Sequence, residues 1–66
     1  MKTENSVRAL RIERGMTQGA LSVACNVSRQ TIVSLEAGLH DPSLVLALRI
    51  SRALNIQVDD LFRLAD

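Results

Sequence analysis

Apolar positions along the chain recur at spacings of three and four: Val7 with Leu10, Leu21 with Cys25, Ile32 with Leu35, and the run Leu44, Ala47, Leu48 and Leu54. β-branched residues are scattered rather than alternating, so the pattern predicts an all-α chain. Its boundaries follow from punctuation. Gly15, Asn26, Gly38 and Asn55 are the residue types that tolerate a left-handed backbone just past a helix end. Thr17, Ser28 and Asp41 are types whose side-chain oxygen accepts from the free amides of a first helical turn. Pro42, directly after Asp41, suits a first helical position because its missing N–H costs nothing there. Together these predict five helices, at about residues 4–14, 18–25, 29–37, 42–54 and 58–63.

That frame sorts the side chains. Val7, Leu10, Leu21, Cys25, Ile32 and Leu35 are expected to face the core from the first three helices. In the fourth, the inward stripe is read as Leu44, Ala47, Leu48, Ser51 and Leu54, widened by Ile50 and Ala53, with Val45, Arg49 and Arg52 outside. Leu61 and Phe62 close the last turn, and Met16, Val27, Ile56 and Val58 fill from the connections. No repeat, low-complexity tract or linker interrupts the pattern. The expectation is a single five-helix bundle spanning residues 1–66.

Composition narrows the function. At 66 residues, 47% of them hydrophobic, the chain suits one small domain and neither a large pocketed enzyme nor a disordered segment. One cysteine makes no internal disulfide, and one cysteine with one distant histidine makes no metal site, so no cofactor or metal is expected. No apolar run approaches the roughly 20 residues of a membrane helix and no signal peptide is visible, which points to a soluble cytoplasmic module without membrane contact. The net charge of +1 says little, but its distribution says more. Residues 1–33 carry Lys2, Arg8, Arg11, Arg14 and Arg29 against Glu4 and Glu13. Residues 34–66 carry Arg49, Arg52 and Arg63 against Glu36, Asp41, Asp59, Asp60 and Asp66. One end of the molecule is thus suited to face a polyanion.

Between Thr17 and Gly38, two short helices meet across the turn Asn26-Val27-Ser28, with the small Ser22 where they approach closely. This is helix-turn-helix spacing, in which the second helix lies in the major groove; a generic helical hairpin is the plainer alternative. The wider pattern decides between them. It comprises L-R-x-E-R-G-M-T-Q at 10–18, V-S-R-Q-T-I at 27–32, L-E-x-G at 35–38 and P-S-L at 42–44. A-L-R-I at 47–50, A-L-N-I at 53–56 and D-D-L-F at 59–62 complete it. From Val7 to Phe62 the chain resembles the lambda-repressor-like helix-turn-helix domain of phage repressors, Cro proteins and Xre-type regulators.

The resemblance implies a sequence-specific regulator of double-stranded DNA, more often a repressor, with the motif at about residues 17–37. Arg29, Gln30 and Ser34 then occupy positions that meet base edges: Arg suits guanine, Gln adenine, and Ser either. Val33 either touches a thymine methyl or packs on the preceding helix. Gln18, at a helix start where amides and dipole favour an anion, is expected on a phosphate, with an exposed glutamine as the alternative. Thr17 and Ser28 share that expectation. Thr31 either touches phosphate or caps locally, and His40 either donates to a phosphate or is an exposed loop residue. Arg11 and Glu36 are implied to form a structural ion pair between the first and third helices, worth much if buried and little if exposed.

Three departures from the family stand out. The loop after the third helix, usually basic, reads Leu39-His40-Asp41, which predicts a shallower salt dependence. Gly19 weakens the second helix, and Asn26 replaces the expected turn glycine. Ile12, Val23, Leu39, Val45 and Leu64 fall where polar residues are expected, either as scattered surface residues or as an interface. One such domain reads half a pseudo-palindromic operator, so a homodimer is expected, with Leu61, Phe62, Arg63 and Leu64 as its interface and Val45 extending it. Short termini pairing as β-strands, around Met1–Thr3 and Leu64–Asp66, stays open as an alternative, although no alternating pattern supports it. The rival reading is an antitoxin or other protein-interaction module with an unknown protein partner. Catalysis has no constellation to carry it: Cys25 sits on a core position with no histidine near it in sequence.

Overall fold

The computed structural model describes residues 2–65. Met1 and Asp66, the outermost residues of the terminal segments considered above, lie outside the described residues. The element order is β1 (Thr3–Asn5), α1 (Val7–Glu13), α2 (Gln18–Cys25), α3 (Arg29–Glu36), α4 (Leu44–Leu54), α5 (Val58–Leu61) and β2 (Phe62–Leu64). Among the described residues five helices form, as the apolar spacing predicts. The two strands are an addition to the helices. They pair antiparallel, Thr3 with Leu64, Glu4 with Arg63 and Asn5 with Phe62, and so join the two ends of the chain.

That pairing shortens the outer helices relative to the sequence expectation. The Asn5 side chain accepts from Val7 N at 3.2 Å, a local turn just before the helix, and α1 starts at Val7, three residues later than expected. At the other end Phe62 is extended, at φ −129°, so α5 stops at Leu61. Alternation carried no warning of this because each strand has only three residues.

The punctuation inside the chain holds. Gly15, Asn26, Gly38 and Asn55 all have positive φ, between 55° and 76°. Asn26 and Asn55 close α2 and α4 in the left-handed region, where asparagine is the side chain that best replaces glycine. Thr17 Oγ1 accepts from Ala20 N at 3.0 Å and Ser28 Oγ from Thr31 N at 3.2 Å, capping α2 and α3. The expected start of α4 is a correction. Ser43, not Asp41, caps it, through its Oγ to Leu46 N at 3.0 Å, and Pro42 lies before the helix. Asp41 is occupied elsewhere, accepting from Thr3.

The core comprises Val7, Leu21, Cys25, Ile32, Leu35, Leu46, Ile50, Leu54 and Leu61, with Leu10, Met16, Val27, Ala53, Ile56 and Phe62 packed around it. The inward face of α4 is a second correction. Leu46, Ala47, Ile50 and Leu54 are buried, whereas Leu44 and Leu48, read as inward, are 73% and 52% exposed. Only Arg49, Ser51 and Arg52 interrupt an otherwise apolar helix, so periodicity left several faces equally suitable. The docking of α4 against α2 selects one of them.

Candidate nucleic-acid interface

The two helices of the motif are set by their caps and by one polar network. Leu21, Cys25, Ile32 and Leu35 bury one side of the α2–α3 pair. Ser22 is buried, and its hydroxyl is satisfied by donating to Gly19 O at 2.7 Å, so its burial leaves no orphan group. The opposite side of α3 is left outside, with Arg29 and Gln30 exposed and Val33 and Ser34 half-buried.

Arg11 and Glu36 meet as the family resemblance implies, and they do so buried. Arg11 Nε lies 2.7 Å from Glu36 Oε2, with side chains only 8% and 3% exposed. A second bond of 3.1 Å joins Nη2 to Oε1, giving the paired geometry that a planar guanidinium favours. Arg11 Nη1 also donates to Met16 O at 2.8 Å, so α1, the α1–α2 turn and α3 converge on one side chain. Burial pushes the Glu36 carboxyl up, while hydrogen bonds from Arg11 and Gln18 and the charges of Arg11 and Arg8 pull it down. The balance lies below its ordinary value. Arg11 is held above its own ordinary value, chiefly by the hydrogen bond to Glu36.

The network continues outward. Gln18 Nε2 donates to Glu36 Oε1 at 3.1 Å, and Gln18 Oε1 accepts from Arg29 Nη2 at 3.4 Å. Gln18 is therefore not a free surface amide: its donor end is engaged by Glu36, and its acceptor end steadies Arg29. Beside it, Arg8, Arg11, Thr17, Gln18, Gly19 and Arg29 line an open concavity of about 500 Å³ over the start of α2. The first amides of a helix lack intrahelical partners and favour an anion, and arginines flank them here. Arg8 was not singled out in the sequence. Its signal was there as an excess cation one turn before Arg11.

The remaining expected residues divide. Gln30 Nε2 donates to Ser34 Oγ at 3.2 Å, so these two outward residues form one patch. Ser28 Oγ and Thr31 Oγ1 lie 2.9 Å apart, which engages both in local capping. His40 is exposed in the loop after α3, its Nδ1 3.1 Å from Asp41 O, away from the concavity's lining residues. Leu61 is wholly buried in this chain's own core, which removes it from any interface with a partner. Phe62 is half-buried against the core, Arg63 pairs with Glu4 at 3.3 Å, and Leu64 and Val45 are exposed. Cys25 is buried, which pushes its thiol up, with the Arg49 charge opposing. Among the described residues no group of three His, Cys, Asp or Glu is placed to hold a metal ion. Nor is any helix there long and apolar enough to cross a membrane.

A capped helix pair with one polar face beside a cationic concavity defines a helix-turn-helix DNA-binding domain. A model of the helix-turn-helix family matches residues 7–61, and the chain belongs to that family. It is similar to an uncharacterized HTH-type transcriptional regulator of Archaeoglobus fulgidus, 46% identical over 56 residues, or 85% of this chain and 80% of the relative. A second such regulator, from Methanothermobacter thermautotrophicus, is 48% identical over 57 residues, covering 85% and 83%. Among solved structures it is similar to the restriction-modification controller protein C.AhdI of Aeromonas hydrophila. That match has a TM-score of 0.78 and 30% identity across 82% of each chain. The chain is a DNA-binding regulator of transcription and not an enzyme.

Proposed function

We propose that the chain binds a pseudo-palindromic duplex operator as a homodimer, lays α3 in the major groove of each half-site and represses transcription. Residues 1–66 act in this reading as a single domain, with the motif at about 17–37. The observation that carries it is the placement of Arg29, Gln30 and Ser34 on the outward side of α3, beside the concavity at the start of α2. Arg29 addresses guanine and Gln30 adenine, with Ser34 and Val33 completing the patch. The amides of Gln18 and Gly19, with Thr17 and Arg8, take the adjoining phosphate. Ser28 and Thr31 border that backbone, and His40 meets it further along.

Size supports pairing. The domain measures 30 × 21 × 19 Å, whereas successive major-groove faces on one side of a duplex lie about 34 Å apart. One copy covers one half-site. Leu64 and Val45, 61% and 56% exposed, with Phe62 and Arg63, are the proposed contact between copies. Occupancy of DNA that another protein must use is enough for repression. A protein-interaction role is the second reading, favoured by Leu44, Val45 and Leu48, which together leave an apolar strip exposed on α4.

Sedimentation equilibrium, alone and with duplex DNA from upstream of the chain's own gene, tests the proposal. A dimer that takes up one duplex is expected. Arg29→Ala with Gln30→Ala should abolish that uptake while the helical circular dichroism is retained, since each base contact is worth about 1–3 kcal/mol. A monomer indifferent to the DNA would shift the weight to the protein-interaction reading.

A further inference from the structure

We infer that Asn5 and Thr3, on the N-terminal strand, are positioning residues for DNA reading, holding the far end of α3 and the loop that follows it. The inference rests on the proposed placement of α3 in the major groove. Asn5 uses both ends of its side chain. Its Oδ1 accepts from Val7 N at 3.2 Å, at the start of α1, and its Nδ2 donates to Leu35 O at 3.0 Å, in the last turn of α3. The same Leu35 carbonyl accepts from Gly38 N at 3.0 Å, where the chain leaves the helix through a left-handed glycine, φ 76°.

Thr3 grips the next stretch. Its backbone N–H and its Oγ1 both donate to Asp41 Oδ1, each at 2.8 Å. Thr3 and Asn5 are two residues apart and so share one face of β1. Their backbone is itself fixed by the register with Leu64 and Phe62. Glu4, between them on the other face, turns to Arg63 at 3.3 Å.

The start of α3 is set by the turn from α2 and by the Ser28 cap, while the buried Glu36 anchors one side of its last turn. Asn5 and Thr3 add a tether from outside the motif. A slight tilt of α3 about its start displaces side chains whose hydrogen bonds to bases tolerate a few tenths of an ångström. Phosphate attraction acts over about 10 Å and barely registers such a tilt. Loss of the tether should therefore reduce discrimination between DNA sequences more than overall DNA affinity.

Asn5→Asp separates the two bonds, because it keeps the oxygen that accepts from Val7 N and loses the donor to Leu35 O. Duplexes selected by the wild-type chain from a random-sequence pool, and scrambled versions of them, serve as probes. Asn5→Asp is expected to keep the helical circular dichroism and to lower the selected-to-scrambled affinity ratio about tenfold, the worth of one weakened base contact. Its added charge weakens binding to both duplexes alike and cancels in the ratio. Thr3→Val, which keeps the N–H bond and adds no charge, should lower the ratio about threefold. Glu4→Gln should leave it at the wild-type value. Folded Asn5→Asp and Thr3→Val variants with a wild-type ratio would overturn the inference, as would an equal loss in Glu4→Gln. If Asn5→Asp fails to fold, Thr3→Val decides alone. If the wild-type chain selects no sequence, the placement of α3 in the groove fails first, and the inference with it.

Discussion

The α2–α3 side and the α4–β2 side of this small domain solve the problem of surface in opposite ways. On the first, polar side chains are tied into one network, from Met16 O through Arg11, Glu36 and Gln18 to Arg29, and the outermost members remain presented to solvent. On the second, Leu44, Val45, Leu48 and Leu64 are large apolar side chains that stand exposed. The difference shows how a chain of this size divides its resources. The proposed DNA side is tied together by hydrogen bonds made within the chain, which orient its side chains without any ligand. The apolar side leaves surface whose burial would add stability to a domain small enough to need it.

The largest test of that contrast strikes the network at its buried centre. Glu36→Ala leaves the largely buried Arg11 without its carboxylate, and should cost about 3–5 kcal/mol in chemical denaturation. A loss below about 1 kcal/mol, typical of a surface pair, would mean that the network does not organise this side. Acid should reproduce part of the effect. Because the Glu36 carboxyl titrates below its ordinary value in the folded chain, the unfolded chain takes up the proton first. The pair's stabilisation is therefore complete above the ordinary glutamate value of about 4.3 and is lost as pH falls below it. Asp41, held low by its hydrogen bonds from Thr3, acts in the same direction. Thermal melts from pH 7 down to 3 should show stability falling across that window and not above it.

A smaller effect is expected on the apolar side. Leu64→Glu places a charge on the exposed face of β2, and should raise the concentration of half-dimerisation at least about tenfold in sedimentation without unfolding the monomer. Unchanged association would move the contact to the α4 strip. The smallest effect returns to the α2–α3 side. A methyl group at Gly19 would meet only Thr17 Oγ1, at 3.9 Å, so Gly19→Ala should stabilise α2 by up to about 1 kcal/mol. If the Gly19 amide approaches a phosphate closely, the same change should weaken DNA binding while it raises the melting temperature.

Much of this architecture was legible from the residues alone. The four positions with left-handed backbone are the two glycines and two asparagines that the punctuation singled out. The caps at Thr17 and Ser28 were equally visible, because an N-cap is a local matter of one side chain and the amides of the next turn. The burial of Arg11 with Glu36 was open to two readings, since no local rule says whether residues 25 apart meet inside or outside the core. Gln18 was expected on a phosphate as a free amide, and its engagement by Glu36 and Arg29 depends on where three helices converge.

What the sequence determined by itself was local: where helices start and stop, which chain segments form the motif, and which residues face outward from α3. Those features depend on contacts within a turn or two, whose energetics are written in neighbouring residues. Only the tertiary structure decided the inward face of α4, the capture of Asp41 by Thr3 and the joining of the terminal segments as strands. In α4 nearly every face is apolar, so the choice belongs to the helix it packs against. Asp41 could cap a helix or accept from a strand, and it lies 38 residues from the strand that took it. Two three-residue strands at opposite ends of the chain have too little pattern to reveal themselves until the five helices have brought them together.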